Sequence, residues 1–188
     1  FSTPIGYYPR VASYGATWLH PQGLTELNLA TTMGLRGLGG DWLEYDNKRF
    51  DSRGSWIHVR GDLAHTRDLP GGLQAFVKVQ GQAASQPLIN SEQYAGGGLG
   101  NARGYLESEA LGDNAIFGTF ELRSPSILGR KKSTAKNPPT DAASAPAEAA
   151  DDSPGSNNEW RWHAFIEGGM LTLNDPLPEQ EDRFELAS

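Results

Sequence analysis

The chain has 188 residues, a formal net charge of −7 and no cysteine, a length that suits one domain and a composition that excludes disulfides, thiolate metal sites and a cysteine nucleophile. Binding nucleic acid requires clustered Lys and Arg to neutralise phosphates, and with 16 Lys and Arg against 23 Asp and Glu and no basic stripe the sequence points to no nucleic-acid partner. With 23 Gly, 10% aromatic and only 37% hydrophobic residues, it fits an all-β chain whose strands are apolar on one face only.

The chain opens at Phe1 inside a strand-like pattern, without an initiator Met or a signal peptide, and reads as a fragment. No run approaches the roughly 18 apolar residues of a membrane-spanning helix. A transmembrane strand needs only about 9–11 residues of alternating polarity, so the membrane is not thereby excluded.

In chain order, YYPRVASYGATWL (7–19) is a first strand with weak alternation, since Tyr and Gly occupy both faces. After the tight turn His20-Pro21-Gln22-Gly23, ELNLATTMGLR (26–36) sets Leu27, Leu29, Thr31, Met33 and Leu35 against Glu26, Asn28, Thr32 and Arg36, a period of two. A long loop, 37–54, leads to SWIHVRGDLAHTR (55–67), with Ile57, Val59 and Leu63 opposite His58, Arg60 and Asp62. The turn Leu69-Pro70-Gly71-Gly72 joins it as a hairpin to LQAFVKVQGQA (73–83), which alternates Ala75, Val77 and Val79 with Gln74, Lys78 and Gln80. A second long loop, 87–114, precedes AIFGTFELR (115–123), where Ile116, Phe120 and Leu122 oppose Thr119, Glu121 and Arg123.

The segment 131–158, KKSTAKNPPTDAASAPAEAADDSPGSNN, is dominated by Ala, Pro, Ser and Asp and reads as a disordered insertion, because it cannot bury enough apolar surface to offset its ordering entropy. WRWHAFIEGGM (160–170) resumes the alternation, with Trp160, Trp162, Ala164, Ile166 and Met170 on one face and Arg161, His163, Phe165 and Glu167 on the other. Tight turns that alternate with long loops, and a charged face on nearly every strand, suit an outer-membrane barrel with a wet lumen. A soluble extracellular β-sandwich that binds glycans through Trp and Tyr would show the same alternation.

The loop GGGLGNARGYLESEALGD (96–113) breaks that tie. The run 69–125 closely resembles the barrel of two-partner secretion transporters, the haemolysin activation/secretion protein family, in which a glycine pair, an arginine motif, a Gly-Asp and an ELR-x-P sequence follow one another at similar spacing. The likeness continues more loosely to FELAS (184–188). In that family a loop dips into the lumen carrying a Val-Arg-Gly-Tyr-type motif whose arginine meets an acidic residue in a Phe-x-Asp or Phe-x-Glu context. Ala102-Arg103-Gly104-Tyr105 matches the first, with Ala at the usual Val position, and Phe165-Ile166-Glu167 matches the second, with Glu where Asp is common.

The resemblance implies about six strands, and the start of a further one, of a sixteen-stranded antiparallel transmembrane β-barrel: a partial C-terminal barrel domain over 1–188 with the lumen loop at about 87–114. It implies transport without enzymatic activity or cofactor, in the bacterial outer membrane. The partners are a secreted exoprotein of haemolysin or adhesin type, outer-membrane lipid, and periplasmic POTRA domains of the parent chain. A barrel-assembly pore is the sister alternative.

A guanidinium can clamp a carboxylate through two parallel hydrogen bonds. At ~4 Å and an effective dielectric near 20 the attraction is about 4 kcal/mol before desolvation, enough for a latch between Arg103 and Glu167, with Gly96, Gly97, Gly98 and Gly104 supplying backbone freedom. Glu lengthens the acidic arm by one carbon relative to Asp and so puts the parallel geometry in question. Glu107, Glu109 and Asp113 lack the spacing of a calcium loop or a glycosidase pair and read as solvated loop carboxylates. His20, His58, His65 and His163 lie on separate segments without metal-site spacing. No GxSxG elbow and no GK[ST] closure of the glycine run occur.

Overall fold

The computed structural model describes residues 6–35, 42–126 and 160–188, the Trp42 side chain excepted. Alternating polarity produces strands because successive side chains of an extended backbone point to opposite faces. The strands are β1 (Arg10–His20), β2 (Gly23–Gly34), β3 (Trp56–Asp68), β4 (Gln74–Ala84), the short β5 (Tyr94–Gly96) and β6 (Ala110–Gly112), then β7 (Asn114–Arg123), β8 (His163–Thr172) and β9 (Arg183–Ala187). Seven of them form one antiparallel sheet in the order β1-β2-β3-β4-β7-β8-β9, while β5 and β6 pair only with each other. The chain is therefore all-β in class. The large sheet is open, with β1 and β9 at its edges.

Three local features differ from the sequence reading. The loop 37–54 contains a helix, α1 (Trp42–Lys48), whose Glu44 in the first turn and Lys48 in the last complement its dipole. Seven residues are too few for a 3.6-residue period to register; the helix is held instead by Tyr45, buried with Trp56, Leu88 and Ile89. The β5–β6 hairpin was also invisible, because glycines mask its alternation. Finally, β2 begins at Gly23 and β8 at His163, a shift of three residues from each expected start.

Connections differ between the two rims. On one, Pro21-Gln22 joins β1 to β2, and a 3-10 turn at Pro70–Gly72, closed by the Leu69 N–H to the Leu73 carbonyl at 2.8 Å, joins β3 to β4. On the other lie the long connections 35–55, 85–113 and 173–182. The β7–β8 connection leaves from the tight-turn rim, and the expected disordered insertion 131–158 lies outside the described residues.

The register sorts polarity in an inverted way. Val59, Val77, Val79, Ile116, Phe120 and Ile166 share one face and are 42% to 65% exposed. On the opposite face His58, Gln82, Thr119, Glu121 and Glu167 are 8% exposed or less. Polar side chains are buried here because the long connections fold over that face. Phe117 sits among them at 1% exposure, its ring occupying space that Gly169 opposite leaves free: a Cβ there would fall 2.4 Å from Phe117 Cδ1.

Candidate functional site

The chain leaves β4, forms the β5–β6 hairpin and returns to β7 at Asn114, laying the insertion on the polar face. Apolar contact seats it there. Ala102 and Ala110 pack with Phe117, Leu171 and Leu186, and Tyr94 stacks on Phe117 with centroids 5.8 Å apart. Gly96 permits this approach, since a Cβ on it would lie 2.7 Å from Leu171 Cδ1 and 3.1 Å from Phe117 Cζ.

The tip beyond it is shaped by its own turns and touched from β4, where Gln80 Nε2 donates to the Gly100 carbonyl at 2.8 Å. Gly97, Gly98 and Gly104 adopt positive φ of 101°, 87° and 97°, which favours glycine. Asn101 accepts from the Gly97 N–H at 2.8 Å and donates to the Ala95 carbonyl at 2.9 Å, and Gly98 bridges to Ala102.

These turns present Arg103 to β8. Its backbone N–H donates to Glu167 Oε2 at 2.8 Å, its Nε to Oε1 at 2.9 Å, and its Nη2 lies 2.7 Å from the same Oε1. The pairing is thus not the parallel fork. Two guanidinium nitrogens converge on one oxygen, and the second oxygen is taken by the backbone. The guanidinium carbon also lies 4.0 Å over the Phe165 ring, a cation–π contact. Phe165 and Glu167 are two residues apart on β8 and so share a face. Tyr105 Oη donates to the Ala187 carbonyl at 3.2 Å and accepts its N–H at 3.3 Å, tying the tip to β9.

One partner was missed. Glu121 Oε2 accepts from Arg103 Nη2 at 3.0 Å, while its Oε1 receives Arg123 Nε at 2.8 Å and pairs with His163 Nδ1 at 3.0 Å. The signal was available: Glu121 lies directly opposite Phe165 in the β7–β8 register, on the polar face. The Glu167 carboxylate is 2% exposed and that of Glu121 7%, so two buried negative charges surround one arginine. Hydrogen bonding to Glu167 first, and to Glu121 after it, raises the arginine pKa above its ordinary value against the opposing effect of burial.

Glu107 and Glu109 are exposed, as expected of solvated carboxylates. Asp113 is not, and that expectation is corrected. It is fully buried and joined to Arg49 through Nη1 and through Nη2, the latter at 2.6 Å. Asp113 also accepts from the N–H groups of Leu88 at 3.0 Å and Asn174 at 2.8 Å, so its buried oxygens are supplied with hydrogen-bond donors. Nothing in the sequence periodicity marks it, because its counter-ion comes from a loop 64 positions away.

Among the described residues no group of three His, Cys, Asp or Glu side chains is placed to hold a metal ion. His58 meets Glu92 at 3.1 Å, and Thr25 Oγ1 bridges His65 Nδ1 and His20 Nε2 at 2.9 and 3.2 Å. The groups brought together around Arg103 hold a hairpin by charge and hydrogen bonding. No family model, curated protein or solved structure matches the chain.

Proposed function

We propose that the chain is part of an outer-membrane β-barrel pore of two-partner secretion type, which translocates one partner exoprotein and holds the inserted hairpin in its lumen through Arg103. The observation that carries this reading is the inverted polarity of the sheet. A soluble sandwich covers its apolar face with a second sheet; among the described residues nothing covers the face of Val59, Val79, Ile116 and Ile166. Hydrocarbon is the environment in which such a face is stable, with the polar face turned to a water-filled lumen.

Three further features agree. The edges at β1 and β9 leave backbone groups that the remaining strands of a barrel would pair. The β1–β2 and β3–β4 turns on one rim are tight and the connections on the other are long, as at the periplasmic and extracellular ends of such barrels, although the long β7–β8 connection also leaves from the tight-turn rim. Trp18 and Trp162 are exposed toward the tight-turn rim, where aromatic side chains meet lipid headgroups.

In this reading the parent chain carries POTRA domains that receive the exoprotein in the periplasm, and transport requires neither nucleotide hydrolysis nor a cofactor. The test is to fractionate cell envelopes and then compare culture media with and without the gene. The protein should be found in the outer membrane, and one large exoprotein should disappear from the medium on deletion. Depletion of many outer-membrane barrels would indicate an assembly pore, and recovery in the soluble fraction would indicate a secreted sandwich.

A further inference from the structure

The strongest unexplained feature outside the Arg103 contact is the Arg49–Asp113 pair on the long-connection rim. Arg49 follows α1 in the β2–β3 connection, and Asp113 is the last residue of the insertion before β7. The two side chains meet with Arg49 12% exposed and Asp113 fully buried. Around them the bonds reach every long connection on that rim. Arg49 Nη1 donates to the Leu88 carbonyl at 2.9 Å and Nη2 to the Asn174 carbonyl at 3.1 Å. Asp113 accepts the Leu88 and Asn174 N–H groups and Gln93 Nε2.

Asn114 and Asn174 extend the knot. Asn114 Oδ1 accepts the Ala84 N–H at 2.9 Å, its Nδ2 donates to Asn174 Oδ1 at 2.9 Å, and Gln82 Nε2 donates to the Asp113 carbonyl at 2.9 Å. One buried carboxylate therefore ties the β2–β3 connection, both roots of the insertion and the β8–β9 connection. Between this knot and the tip runs the β5–β6 hairpin, with positive φ at Gly97, Gly98 and Ser108.

We propose that Arg49 and Asp113 are positioning residues that fix the root of the inserted hairpin independently of its tip. Loss of the Arg103 contacts with Glu167 then loosens the tip around Ala102 and Arg103 while the rim stays closed around the roots. The charges at the two ends share no partner: the tip uses Glu167 and Glu121, the root only Asp113. The proposal deepens the pore reading by naming which part of the loop loosens, yet it concerns the hairpin alone and is tested without cargo.

The experiment is amide hydrogen exchange, residue by residue, on the full protein folded in outer-membrane vesicles, comparing wild type with Arg103→Ala and Arg49→Lys. Lysine keeps the root charge but loses the fork that reaches both Asp113 oxygens. Arg103→Ala should speed exchange at Ala102 and Arg103 by about 10- to 100-fold, the range for a lost charge-assisted hydrogen bond, and leave the Leu88 and Asn174 amides protected. Arg49→Lys should speed Leu88 and Asn174 by a similar factor and leave the Arg103 amide unchanged. Acceleration of both sets by either substitution would make the hairpin a single cooperative unit and overturn the proposal, as would protected Leu88 and Asn174 amides in Arg49→Lys. If Arg49→Lys does not fold, the Arg103→Ala arm still decides between the two. Failure of the pore reading would instead appear in fractionation and secretion.

Discussion

Arg103 is held by unequal contacts, and the inequality is testable. Glu167 receives its backbone N–H and two guanidinium nitrogens, whereas Glu121 receives one nitrogen and divides itself among Arg103, Arg123 and His163. Glu167→Gln should destabilise the folded protein by about 1.5–3 kcal/mol, as for lost charged hydrogen bonds. Glu121→Gln should cost roughly 1 kcal/mol, since its other partners, Arg123 and His163, are 35% and 48% exposed and water screens what they lose. Urea midpoints in detergent give the order, and a larger effect at Glu121 would contradict it. Gly104→Ala isolates backbone strain: space around its Cβ is open, with Ser188 Cβ the nearest atom at 3.9 Å, but φ is 97°. A loss of about 1–2 kcal/mol is expected in the same titration, and a neutral outcome would show that the tip readily adopts another turn.

The inserted hairpin depends on Phe117, which fills the space over Gly169 and receives Tyr94 from above. Phe117→Ala should remove about 3–5 kcal/mol and, more specifically, make the segment between Tyr94 and Gly112 sensitive to protease while the sheet resists. Equal cleavage of β7 and β8 would mean that the ring supports the sheet rather than the hairpin. Sheet strands such as β3, β4 and β7 were legible in the sequence because one face of each is apolar and the other polar, a local pattern that needs no partner. The contact of Arg103 with Glu167 was legible only through the flanking motifs and the alternation that put Glu167 on the polar face. Helix α1 and the Asp113 ion pair were not legible. Their stability comes from residues remote in sequence, Trp56 and Leu88 for Tyr45 and Arg49 for Asp113, and no short-range period encodes such encounters.

Across the whole molecule, the inverted sheet predicts opposite tolerance on its two faces. If the exposed apolar face meets lipid as proposed, Val79→Arg should cost up to roughly 2–4 kcal/mol and lower the heat-modifiable fraction in the outer membrane. Lys78→Ala, one residue away on the polar face, should leave that fraction unchanged. Similar effects of both substitutions would argue against lipid on the Val79 side. The proposed pore and the Arg103 contact meet in a single experiment: secretion of the partner exoprotein by the full protein carrying Arg103→Ala, with the folded protein in the outer membrane quantified in the same cells. On the proposed function, secretion falls to background while the amount of folded protein is maintained. Undiminished secretion at normal protein levels would contradict it and leave Arg103 as an ordering contact of a loop that transport does not use.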